Sequence, residues 1–136
     1  MTITNQALID QALGQLGIVE SSDAASATDS ADAMTYLNQM MAEWKVSGKD
    51  LDFFSQDDLT DTCPIPAWAE HAVMSNLARY VAPLFRVPLP PEVAVLAAQG
   101  DNVISRTLFN LNLEQADMRH LPQGDGRYGR NILTDS

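Results

Sequence analysis

The sequence predicts an all-α fold: a four-helix bundle with a short extended loop or hairpin between the second and third helices, and an extended C-terminal arm. Three observations carry this. Apolar residues recur at three- and four-residue spacing through most of the chain up to about residue 115. Each run is bounded by a capping residue, a glycine or a proline. After about Met118 the spacing collapses into MRHLPQGDGRYGRNILTDS, which holds three Gly, one Pro and scattered apolar residues, too few to pack a core of its own. The expected division is a bundle domain over 1–117 and an arm over 118–136. A chain of 136 residues suffices for one such core.

The first helix is expected over Asn5 to Leu16, with Leu8, Ile9, Ala12, Leu13 and Leu16 on one face. Thr4 caps its start and Gly17 supplies a left-handed stop. Gly14 inside it lowers helix propensity by about 1 kcal/mol relative to Ala, which suggests a close helix contact there. ESSDAASAT (20–28) reads as a connection. The second helix is expected to begin at Asp29 or Ser30 and run to Val46, where Ser47-Gly48 ends it. Ala33, Leu37, Met40, Met41 and Trp44 form a single stripe along it, as a bundle core requires.

LDFFSQDDLTDTC (51–63) alternates apolar and polar residues at both ends of Gln56-Asp57-Asp58, the pattern of a short hairpin or an extended loop pair. Its Asp57, Asp58 and Asp61 make a negative tip. Pro66 suits the first turn of a third helix. The apolar face of that helix (Trp68, Ala69, Val73, Leu77, Tyr80, Val81, Leu84) is expected to continue to Pro83. RVPLPP is a rigid corner. A fourth helix opens at Pro91-Glu92 and carries Val93, Leu96, Ala97, Gly100, Ile104, Leu108 and Leu111 on one face. Gly100 at its centre points to close packing. In the arm, Leu121, Pro122, Tyr128, Ile132 and Leu133 are spaced anchors that a purely solvated tail would not need.

Charge is unevenly distributed. Residues 1–117 hold five Lys/Arg against sixteen Asp/Glu, a net of −11, whereas 118–136 carry a net of +1. An acidic body lacks the basic footprint that duplex binding needs, although acidity also serves plain solubility. No apolar run approaches the roughly 20 residues of a membrane span. MTITNQALIDQ does not read as a signal peptide, and the lone Cys63 fits a reducing compartment, so cytoplasmic synthesis is the expectation.

Little in the sequence suggests catalysis. His71, His120 and Cys63 do not have zinc-site spacing, and no phosphate-cradling Gly loop is present. A Cys63/His71 nucleophile pair lacks an orienting partner. A carboxylate pair for glycoside hydrolysis, held about 5–10 Å apart, could be drawn from Asp57, Asp58, Asp61, Glu43 and Glu70. With sixteen acids such a pair is unspecific.

The order of the pieces is more telling. ALGQLGI ending the first helix, LNQMMAEWKVSG in the second, NLARYVAP in the third, and a Pro/Gly/Arg-bearing tail together resemble the head–tail connector proteins of tailed bacteriophages. The likeness is to the podovirus-type packaged-DNA-stabilisation, or head-completion adaptor, family; it covers roughly residues 5–115, with the tail similar in character. The resemblance implies a non-enzymatic helical protein, without cofactor, that docks beneath the portal as a ring of twelve in the virion neck. Such a ring extends the DNA channel, helps retain packaged DNA, and offers a platform to tail or nozzle proteins. DNA would pass without specific binding, and acidic walls would favour that by repelling phosphates. The arm would grip the portal through Arg119, His120, Leu121, Pro122, Arg127, Tyr128, Arg130, Ile132 and Leu133. Some members are credited with cell-wall hydrolysis, for which no catalytic motif stands here. A carboxylate-dependent peptidoglycan hydrolase and a DNA-binding helical packaging factor are the alternatives.

Overall fold

The computed structural model describes residues 3–19 and 25–119, with side chains through residue 113. Four helices and no strand are found among the described residues: α1 (Asn5–Gln15), α2 (Ala27–Val46), α3 (Glu70–Val81) and α4 (Pro91–Arg119), with a 3₁₀ turn at Ala67–Ala69 leading into α3. The chain divides into two units, Met1–Ser105 and Arg106–Ser136.

Capping chemistry sets the helix boundaries. Thr4 is extended and its hydroxyl accepts from the Ala7 amide at 3.1 Å. The two preceding amides of the first turn, Asn5 and Gln6, donate to the carbonyls of Asp61 and Leu59, both at 2.9 Å. The loop before α3 therefore satisfies donors that a helix start leaves orphaned. At the other end Gly17 adopts φ +76°. The amides of Gly17 and Ile18 return to the carbonyls of Gly14 and Leu13, the paired bonds of a Schellman stop.

α2 ends the same way. Gly48 has φ +97°, its amide reaches the Lys45 carbonyl at 3.4 Å, and the Lys49 amide reaches that of Trp44 at 2.8 Å. The Lys49 ammonium lies 4.8 Å from the centre of the Trp44 ring, taking the place of the apolar contact that usually seals this motif. The start of α2 lies before the expected Asp29 or Ser30. Ser26 is the cap, its hydroxyl accepting from the Asp29 amide at 3.1 Å. Asp29 then stands in the first turn, where its charge faces the positive end of the helix.

α1 packs on α2 and α3, and α2 packs on α3. Leu8, Ile9 and Leu13 of α1, the expected stripe Ala33, Leu37, Met40, Met41 and Trp44 of α2, and Val73, Leu77 and Val81 of α3 form the core. α3 is buried on all sides from Ala72 to Ala78. It thus carries buried polar residues that need partners. Asn76 donates to the carbonyls of Ala72 (2.8 Å) and Ala97 (3.1 Å) and accepts from Arg79.

Several expectations for the later helices need correction. α3 stops at Val81, not Pro83, and Arg86 provides the left-handed turn (φ +59°). Trp68 and Leu84 are exposed rather than part of the core face. On α4, Val93, Ala97, Gly100 and Ile104 are buried as expected, whereas Leu96 and Leu111 are exposed and Leu108 is half-buried. Of the two forms expected for segment 51–63, the extended loop is the one found and the hairpin is not; among the described residues one isolated antiparallel bridge joins Thr62 to Thr4. Its carbonyls are spent on α1, which leaves no second strand to pair. Helix α4 also runs on through Met118 and Arg119.

The two helix-interior glycines behave differently. A Cβ on Gly100 would sit 2.8 Å from both Cα and Cβ of Ala72 and 3.3 Å from Asn76 Nδ2. A Cβ on Gly14 would meet nothing nearer than 4.0 Å among the described residues, so the expected close contact at Gly14 is absent. Gly100→Ala should therefore destabilise by about 1–3 kcal/mol through overpacking against backbone, while Gly14→Ala should stabilise by about 0.5–1 kcal/mol. Paired thermal melts check both signs.

Candidate interaction surface

The acidic loop is held in place by three amides. Asn38 on α2 clasps the backbone of Gln56: its Nδ2 donates to the Gln56 carbonyl at 2.8 Å and its Oδ1 accepts the Gln56 amide at 2.9 Å. Asn5, buried at the start of α1, donates through Nδ2 to Gln56 Oε1 and to the Asp58 carbonyl, both at 3.0 Å. Gln56 Nε2 in turn donates to the Phe54 carbonyl at 2.9 Å. A buried network of this kind fixes one loop conformation.

Asp57, Asp58 and Asp61 consequently occupy one tethered stretch, with all three residues exposed. Asp58 Oδ1 accepts from the Thr60 amide (2.9 Å) and hydroxyl (2.7 Å). The backbone bond from Thr60, and then its hydroxyl, hold the Asp58 carboxyl below its ordinary range. That is the wrong direction for a general acid, whose pKa must be raised. Among the described residues no three His, Cys, Asp or Glu come together as metal ligands, and no helix is long and apolar enough to cross a membrane.

Burial also tells against a Cys63 nucleophile. Cys63 is fully buried, and burial, followed by the nearby Glu70 charge, pushes its thiol up to about 12. At neutral pH it is a protonated core residue, not a nucleophile, while His71 is exposed. Cys63 should resist alkylation in the native protein and react once the chain is unfolded, which a thiol-labelling time course with and without denaturant checks. Because the folded value is raised, this group's contribution to stability is complete below the unfolded value of about 9 and is lost as pH climbs towards 12.

Two surface features were not legible as such from the sequence. At the C-terminal part of α2, Met41, Ala42 and Lys45 form a groove with Phe53 and Phe54, and Phe54 is 66 % exposed. Where α3 meets the first half of α4, a cleft of about 160 Å³ is lined by Trp68, His71, Leu96, Gln99, Gly100 and Val103. In the second unit, Phe109, Leu111 and Leu113 are exposed along α4. Of the arm residues, Arg119 is the last of α4. His120, Leu121, Pro122, Arg127, Tyr128, Arg130, Ile132 and Leu133 lie outside the described residues.

What emerges is a helical body with a pinned acidic loop and apolar side chains left on its surface. Comparison with curated proteins finds no match. A family model described as P22 tail accessory factor matches residues 1–135. That match spans nearly the whole chain, so the protein belongs to the P22 tail accessory factor family and is a structural, tail-related bacteriophage protein.

Proposed function

We propose that the protein is a head–tail adaptor: it docks on the portal protein as a ring of twelve at the virion neck, extends the DNA channel, helps retain packaged DNA and presents a platform for tail or nozzle proteins. The observation that carries this reading is the family match, which takes in body and tail together. The charge division agrees with it. A body of net −11 repels DNA that must slide past, and the tethered Asp57, Asp58 and Asp61 fix part of that charge in one place. The tail, with Arg119, Arg127 and Arg130 spaced among apolar residues, can offer both charge and anchors to the portal. A carboxylate-hydrolase reading has less behind it: Asp58, held below its ordinary range, suits the base or nucleophile of such a pair and not the raised-pKa acid that the reaction also needs.

Copies of so acidic a body repel one another until a partner compensates. The free protein should therefore sediment as a monomer or weakly associating species and form twelve-fold rings when purified portal is added. A stable dimer that portal does not shift would defeat the proposal.

A further inference from the structure

Phe54 is exposed without being loose. Its carbonyl is held by Gln56 Nε2, and Gln56 is buried and clasped by Asn38 and Asn5. Asp52, two residues earlier, sits at φ +62° with its amide on the Asp50 carboxylate at 2.8 Å. A non-glycine residue in that region carries strain that the surroundings must enforce. A buried polar network thus presents a phenyl ring to water, which costs hydration in the monomer and makes sense for an anchor whose ordering is complete before binding.

A receptor of matching character lies on different elements of the same unit. The cleft between α3 and α4 has Gly100 at its floor, where α4 touches Ala72. Trp68, Leu96 and Val103 form its rim, 40 %, 39 % and 37 % exposed. An aromatic residue seated in a pocket rimmed by apolar groups is the usual composition of an interface hot spot.

One pair of charges beside these patches is also complementary. Lys45 lines the Phe54 groove and is exposed, and it makes no ion pair among the described residues. Glu92 is exposed, likewise unpaired among the described residues, and stands at i, i+4, i+7 and i+11 with Leu96, Gln99 and Val103, on the cleft side of α4. One patch is an apolar knob with Lys45 beside it and the exposed Asp50, Asp52 and Asp57 flanking it in sequence, and the other an apolar hollow with Glu92 on the same side of α4; the apolar fit carries the contact and the Lys45–Glu92 pair sets its orientation. Each patch complements the other rather than itself. Paired reciprocally they would make a two-fold dimer, whereas paired head to tail they propagate from copy to copy and make a ring where the rotation closes, the arrangement that agrees with the ring reading above.

We propose that the occupant of the Trp68–Val103 cleft is a second copy of this chain, whose Phe54 enters it while its Lys45 faces Glu92. The contact deepens the ring reading above and rests on it.

Two single-cysteine variants, Phe54→Cys and Val103→Cys, test this by treatment with a short bismaleimide on portal-bound rings, since the native Cys63 is buried. Ring formation by the untreated protein is scored first, which separates failure of the adaptor reading from failure of the contact. Given rings, a mixture of the two variants should cross-link into dimers while neither variant alone does, and the double variant should give a ladder. Phe54→Ala should keep the melting temperature and weaken association between copies by roughly tenfold or more. Lys45→Glu should weaken it too, and adding Glu92→Lys should restore it. Rings without mixed cross-links overturn the proposal. So do Val103→Cys adducts to the portal, or a Val103→Cys thiol that becomes accessible only when the chain is cut after Arg119, which would give the cleft to the portal or to the chain's own tail.

Discussion

Trp44→Ala lowers stability by about 3–5 kcal/mol, the largest loss expected from a single substitution in the helical body. The ring is 7 % exposed and ends the α2 stripe that includes Leu37, Met40 and Met41. Three further features depend on its place. Its carbonyl receives the Lys49 amide at 2.8 Å and the Ser47 hydroxyl at 3.1 Å, its ring lies under the Lys49 ammonium, and that ammonium pairs with Asp101 at 3.3 Å. Asp101 also meets Arg79 at 2.9 Å.

Magnitudes decide which part dominates. The pairs on Asp101 are partly exposed, and such pairs contribute about 0–1 kcal/mol each. The cation over the ring adds about 0.5–1 kcal/mol at a site this open. Removal of a buried indole is worth several times either, so Lys49→Ala should cost about 1 kcal/mol or less where Trp44→Ala costs several. Chemical denaturation of the two variants separates them. Equal, small losses would mean that the indole contributes little burial energy and that the α2 stripe has been misassigned.

The residues that made the fold legible in the sequence act locally. Thr4, Gly17, Ser47 and Gly48 mark ends because caps and left-handed turns depend on nearest neighbours, and the α2 stripe is legible because burial follows helical period. Gly100 stood out because only a missing side chain lets α4 approach Ala72. What escaped depends on distant partners. Nothing near Asn5, Asn38 or Gln56 in sequence says that they meet, and polar residues read as surface until a partner 18 or 51 positions away is known. The same holds for the 51–63 segment. Its alternation imitates a strand, but its carbonyls at Leu59 and Asp61 cap α1 instead. Ser26-x-x-Asp29 carries a capping pattern, but in the polar run around it Ser26, Asp29 and Ser30 are equivalent cap candidates until the first turn of α2 is placed. Exposure of Trp68 and Leu96 could not be read from spacing, because a stripe shows which side faces inward and not where the neighbouring helix stops covering it.

A chain ending at Arg119 keeps its helical circular dichroism and its melting temperature but loses portal binding. The first expectation follows from where the apolar burial lies. Among the described residues every large, fully buried side chain comes before Ser105, Ile104 being the last of them, and the sequence of 120–136 offers only Leu121, Tyr128, Ile132 and Leu133 as large apolar groups among three Gly and a Pro. Cutting after Arg119 also spares α4, which a cut at residue 117 would shorten. The second expectation rests on the adaptor reading. An acidic body has few cations to offer a partner, so the Arg residues and spaced anchors of the tail are the groups best suited to charge-assisted bonds and apolar contacts with the portal. Replacing Arg127 and Arg130 together by Ala should then weaken portal binding and flatten its dependence on salt, because two screened charge contacts are gone. If the shortened chain binds portal with undiminished affinity, the helical body carries that interface, and Phe109, Leu111 and Leu113 on the distal part of α4 become the first residues to substitute.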